Sequence, residues 1–182
     1  MGDDAEGRAR EVMRRRSSGP FQPQSDGSFR INLPPDVREL LVHMFGELRD
    51  VLMQADTSDP ALRRLFPAAY HDDPERDAEY QELMRSELVA SRLTAISRVV
   101  EVIGSSDRLE SGDMDLFLQA LNALRLLLGT MLDVAEDDAD PGADDPEDPA
   151  AAQAHLYSYL GWLLEGAVAA AMALQSDDGG RR

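Results

Sequence analysis

Residues 111–131 read SGDMDLFLQALNALRLLLGTM, and their placement decides the fold. Met114, Phe117, Leu118, Leu121, Leu124, Leu128 and Met131 recur mostly at intervals of three and four. That is the 3.6-residue period of an amphipathic helix, with Ser111 expected as its cap. Such a stripe must be buried against other elements, so the flanking sequence has to supply them.

Upstream, Leu83, Met84, Leu88, Leu93, Ile96, Val99, Val100 and Ile103 predict the buried side of a helix over residues 75–103, which Gly104, Ser105 and Ser106 end. Before it, Val37, Leu40, Leu41, Met44, Leu48, Val51 and Leu52 form one stripe of a helix ending near Gln54, and a short helix is expected over 61–66. Downstream, residues 149–175 predict a last helix with Leu156, Tyr159, Leu160, Leu163 and Val168 inward. Three starts share one device: Asp59-Pro60, Asp73-Pro74 and Asp148-Pro149. The aspartate accepts orphan backbone N–H groups, and proline fits the first helical position, where no donor is needed.

Nearer the N-terminus, Asp26-Gly27 separates PFQPQ (20–24) from SFRINL (28–33), where Phe29, Ile31 and Leu33 alternate with Arg30 and Asn32. This is a hairpin signal, and Pro20 and Pro23 confine its first strand to an edge. The expected fold is therefore mainly α: a single helical bundle of four main helices plus a short helix, with a small N-terminal β-hairpin. It occupies residues 20–175, between a disordered tail over 1–19 and a C-terminal tail over 176–182. Residues 133–148, with nine acids and no base, read as an acidic linker inside it.

Composition agrees and narrows the chemistry. The chain has 182 residues, 43% apolar but only 5% aromatic, which suits packed helices better than a β-sandwich. Its net charge is −17, from 35 acids against 18 bases, every base an arginine. Phosphate backbones and anionic lipid repel such a chain. Arg14, Arg15 and Arg16 are its one dense basic run, read as a solvated tail. With no cysteine, disulfides, thiolate metal sites and cysteine nucleophiles are excluded, in keeping with a cytoplasmic setting. No signal peptide is expected, since no apolar run follows the N-terminal arginines. Residues 156–174 are apolar, but Glu165 at their middle would cost about 2.5–3.5 kcal/mol in a bilayer. A buried bundle helix is the better reading.

Few residues suggest activity. His71, Asp72, Asp73 and Glu75 form a metal candidate, but they are consecutive at a helix start, where capping explains the acids. The acidic linker fails the calcium-loop pattern: with Gly142 as the turn glycine, Ala139 and Pro141 fall where acids belong. His43, His71 and His155 lie on different segments, outside any HExxH, and neither a G-x-S-x-G turn nor a Gly-rich phosphate loop is present. No catalytic, cofactor or metal residue is assigned. Arg125 and Glu165 sit in the two most apolar helices, so they are expected to pair or to face a shared groove. Trp162 is expected in the core. Arg64 and Tyr70, in the stretch RLFPAAYHDDPERDAEY (64–80), complete the interaction candidates.

The segments FRINLPPDVRELL (29–41), DPALRRLFPAAYHDDPERDAEYQELMRSELVASRL (59–93), LNALRLLLGTMLDV (121–134) and YLGWLLEGAV (159–168) together resemble an uncharacterised actinobacterial family of unknown function. The resemblance spans about residues 29–175. Genes of that family commonly lie beside those for the ClpS adaptor and a Mec-type metallopeptidase, which implies a link to regulated proteolysis. The family has been labelled a transcriptional regulator, although no helix-turn-helix with a basic recognition helix is visible. The expectation is a non-enzymatic cytoplasmic regulator or adaptor with a protein partner, or a second copy of itself, and neither membrane nor nucleic acid. The alternatives are a transcription-associated regulator using Arg8–Arg16 as a basic arm or its acidic surface to engage a basic partner, and an enzyme using the carboxylates around Asp73.

Overall fold

The structure, a computed structural model, describes residues 19–54, 59–70, 72–132 and 149–179. The tail over 1–18, residues 55–58, His71, the acidic linker over 133–148 with Asp148, and residues 180–182 lie outside them. The chain runs β1 (Phe21–Pro23), β2 (Phe29–Ile31), α1 (Pro35–Gln54), a 3-10 turn (Pro60–Leu62), α2 (Pro74–Ser105), β3 (Arg108–Leu109), α3 (Ser111–Met131) and α4 (Pro149–Gly179). Among the described residues it is mainly helical, four helices with a small antiparallel sheet. The 3-10 turn is one turn long, shorter than the helix expected over 61–66.

The hairpin forms for the reason its sequence gives. Gly27 takes a φ of +86°, which a side chain would disfavour. Asp26 Oδ1 accepts from Ser28 N at 3.1 Å and Ser28 Oγ at 2.6 Å, bonds that hold its carboxyl below the usual carboxylate range. Phe21 pairs with Ile31 and Pro23 with Phe29, so both phenylalanines and Ile31 turn inward while Gln22 and Arg30 face out. A third strand is added that alternation could not reveal: β3 pairs antiparallel to β2, Phe29 opposite Leu109. Two residues between helices carry no period to read. Their pairing nevertheless ties the α2–α3 connection to the N-terminal ribbon, and Leu109 is fully buried there.

Two of the three Asp-Pro starts behave as expected among the described residues. Asp59 accepts from Ala61 N at 2.8 Å, and Asp73 from Arg76 N at 3.1 Å. α3 differs. Glu110 occupies the cap position with extended backbone and makes no side-chain cap bond, while Ser111 is already helical. A cap must itself be non-helical, so Ser111 cannot serve. The first turn of α3 instead carries Asp113, buried, whose carboxylate accepts a two-pronged bond from Arg98 at 2.7 and 3.0 Å and stitches α3 to α2. The same bonds raise the Arg98 pKa.

Packing runs in sequence, α1 on α2, α2 on α3, α3 on α4, and β1 closes back onto α4. At the centre Phe117 meets Phe21 edge-on at 4.9 Å and Phe45 at 6.2 Å, joining the sheet, α1 and α3 in one cluster. Several expected core positions face out instead. Leu83 is 76% exposed and Leu88 is also exposed, and full burial on α2 begins only at Ala95. Leu40, Met131 and Val168 are exposed as well.

One contact fixes where β1 meets α4. A Cβ on Gly166 would lie 2.4 Å from Pro20 Cγ and 2.7 Å from Pro20 Cδ. Gly166→Ala gains about 1 kcal/mol of helix propensity but forces overpacking that costs about 1–3 kcal/mol. The expected result is a net loss, measured by denaturant unfolding. In a Pro20→Ala background, which removes both opposing ring atoms, the same change should turn neutral or stabilising. Simple additivity of the two changes would show that they are not in contact.

Candidate functional site

Each residue singled out from sequence has a definite place. Tyr70 is half-buried in the loop before α2, edge-on to Tyr80 at 6.0 Å, with the Arg76 guanidinium 4.4 Å above its ring. Asp77, in the first turn of α2, accepts from Ala69 N at 2.7 Å and Tyr70 N at 3.1 Å and so ties that loop down. Asp72, Asp73 and Glu75 are exposed, His71 lies outside the described residues, and among the described residues no three metal-ligating side chains converge.

Arg125 and Glu165 form no ion pair with each other among the described residues. The Arg125 guanidinium lies 4.8 Å from the centre of the Tyr157 ring, and its Nη2 donates to Tyr157 Oη at 3.2 Å. Its Nε is buried beside Gly161 with no acceptor. Arg64 reaches the same place from the loop after the 3-10 turn. A Cβ on Gly129 would sit 3.0 Å from the Tyr157 ring and 3.1 Å from Arg64 Nη1, so glycine there admits both. Arg64 and Arg125 are thus brought together around Tyr157, a residue the sequence reading passed over. Only the structure shows that Gly129 opens room for its ring.

A second arginine group was also missed. Arg85 and Arg92 flank Phe66 at 4.4 and 4.8 Å, and Arg92 Nη2 donates to the Leu65 carbonyl at 3.0 Å. Burial pushes the Arg92 pKa below its ordinary value, and its Nη1 is buried with no acceptor. It borders a cleft of about 230 Å³ between α2 and α3, with Leu65, Leu88, Gln119, Asn122 and Leu126. The Leu65 bond and the Phe66 stack account for most of this arginine as a fastener between the loop and α2.

The largest departure from expectation is α4. Read as a buried helix, it is buried along one side only, through Leu160, Leu163, Ala167 and Ala170. The segment Ala151–Ser176 is the one described helix long and apolar enough by composition to cross a membrane, yet only 22% of its apolar window is buried. Trp162, expected in the core, is 48% exposed. Its ring lies 5.4 Å from that of Tyr159, tilted by 33°. Burial first, and the Asp36 charge second, push the Tyr159 phenol above its ordinary pKa. Glu165, Ala169 and Met172 continue outward from Trp162 at intervals of three, four and three, all exposed, with Val168 at their edge. Glu165 therefore keeps its hydration and needs no buried partner.

Fold and surface together define a mainly helical protein with a small antiparallel sheet and an uncovered apolar helix face. The chain belongs to the family described as a domain of unknown function (DUF2017), whose model matches residues 14–171. It is 26% identical over 179 residues to proteins named oxidative stress regulator AosR in Mycobacterium bovis and Mycobacterium tuberculosis, across 75% of this chain and 79% of the relative. No solved structure matches it.

Proposed function

We propose that this protein is a non-enzymatic cytoplasmic regulator that works by holding a protein partner on the exposed side of α4. One observation carries the reading: the face from Trp162 to Met172 presents tryptophan, valine, alanine and methionine to solvent with a single charge, Glu165. Elsewhere the chain is rich in charge, 29% overall. Loss of charge with enrichment in aromatics and methionine marks the centre of a protein interface. The name of the mycobacterial relatives supports a regulatory role. The gene neighbourhood implied by the family resemblance makes components of regulated proteolysis the first partners to test. Within these 182 residues there is no thiol. A response to oxidants shared with the relatives would therefore be sensed by a partner or by methionine.

The test is crosslinking capture from native lysate with the wild type and with Trp162→Ser/Met172→Ser, followed by identification of the captured protein. A specific partner should be recovered by the wild type and reduced at least about tenfold by the variant, the effect of losing a hot-spot aromatic. Both side chains are exposed, so melting should be unchanged. Equal capture by wild type and variant would remove α4 as the docking face.

A further inference from the structure

Resting on that reading, we infer that the α4 face receives a basic amphipathic segment of another protein, an arginine or lysine of which sits over the Tyr159–Trp162 pair. The rings lie side by side at 5.4 Å, and Trp162 is half open to solvent. An aromatic face presented this way attracts a guanidinium or ammonium group. Glu165 projects from the same stripe one turn further on, exposed and with no ion pair among the described residues. Asp36, also exposed, lies in the first turn of α1, and its charge acts on the Tyr159 phenol. A cation over the rings therefore lies one turn from the Glu165 carboxylate and within the Asp36 field that already acts on Tyr159. Beyond it, Ala169 and Met172 provide an apolar track. The eleven residues from Trp162 to Met172 span about 15 Å, enough for the i, i+3, i+4, i+7 anchors of an amphipathic helix.

Charge selects this occupant over the others. At −17, the chain repels a second copy of itself and any anionic membrane surface, while its field draws a basic segment in. Alternation of apolar anchors with arginines on the partner would satisfy both parts of the face, the track and the acids Glu165 and Asp36.

Trp162 is the only tryptophan in the chain, so its emission reports this face directly. The probe is a synthetic leucine-based helical peptide carrying arginines along one edge, compared with glutamine and glutamate versions of the same peptide. The arginine peptide should shift Trp162 emission saturably and bind at least tenfold more tightly than the glutamine version, with affinity falling as salt rises. The glutamate version should not bind. Glu165→Gln/Asp36→Asn should remove the preference for arginine over glutamine without changing the melting temperature. Equal binding of arginine and glutamine peptides, or an unchanged preference in the double variant, would overturn the cationic anchor. Sedimentation as a dimer that Trp162→Ser disperses would overturn it in favour of a second copy, and a Trp162 blue shift on phosphatidylcholine vesicles would do so in favour of lipid. If lysate capture depends on Trp162 and Met172 but not on Glu165 and Asp36, the docking face stands and only its charge preference falls.

Discussion

Phe117→Ala is expected to destabilise the protein by about 3–5 kcal/mol, the usual cost of emptying a fully buried aromatic site. In a domain of this size that lowers the melting midpoint by roughly 6–20 °C. Phe117 is fully buried and touches Phe21 from the sheet and Phe45 from α1. The cavity would open where three elements meet, and none can close it without breaking its own register. Phe117→Leu keeps most of the volume and should cost much less. The measurement should follow helix content by circular dichroism in denaturant. Trp162 emission is a poor reporter of unfolding, because that side chain is half exposed in the folded state. A loss under about 1 kcal/mol would mean that Phe117 is not a junction of sheet and helices, since truncation there would leave almost no cavity.

Arg38→Met is the second large effect, an expected loss of about 2–3 kcal/mol from charge-assisted bonds and helix-end electrostatics. Arg38 extends from the first turn of α1 to the end of α2. Its Nε and Nη2 donate to the Ile103 carbonyl at 2.9 and 2.8 Å, Nη2 also donates to the Ser106 carbonyl, and Nη1 pairs with Asp107. Those carbonyls belong to the open end of a 32-residue helix, which has no basic residue of its own in its last turn. One guanidinium thus satisfies orphan acceptors and places a positive charge at the negative pole of the helix. Arg38→Lys should recover little, because an ammonium lacks the planar fork that reaches both carbonyls. Full stability in the lysine variant would reduce the contact to simple charge attraction.

Both sites bear on what a reader of the sequence can reach. Most of the α1 and α3 stripes, the second half of the α2 stripe, the hairpin at Asp26-Gly27 and the helix starts at Asp59-Pro60 and Asp73-Pro74 were legible, because each depends on neighbours a few residues away. Phe45 was not picked out of the α1 stripe, although it is fully buried. Arg38 gave no signal at all, its partners being 65 to 69 positions away in sequence. Arg125 and Glu165, expected to pair or to face a shared groove, form no ion pair with each other among the described residues, for a related reason. Both residues lie in apolar helices, but the expectation assumed that both helices are buried all round, and α4 is not. Trp162 was misplaced by the same assumption. Its new position turns a supposed core residue into the centre of the candidate site.

What the sequence by itself determined is local: which segments coil into helices, where each begins, which side of each is apolar, and that the chain carries a strong negative charge with no thiol. The tertiary structure alone decided which apolar sides find a neighbour. It buried one side of α4 against α3 and the sheet and left Trp162, Val168 and Met172 uncovered. It also recruited Arg108 and Leu109 into the sheet and gathered Arg64 and Arg125 around Tyr157. The physical reason is that periodicity belongs to one helix, whereas burial belongs to a pair of elements and depends on where the second one lies.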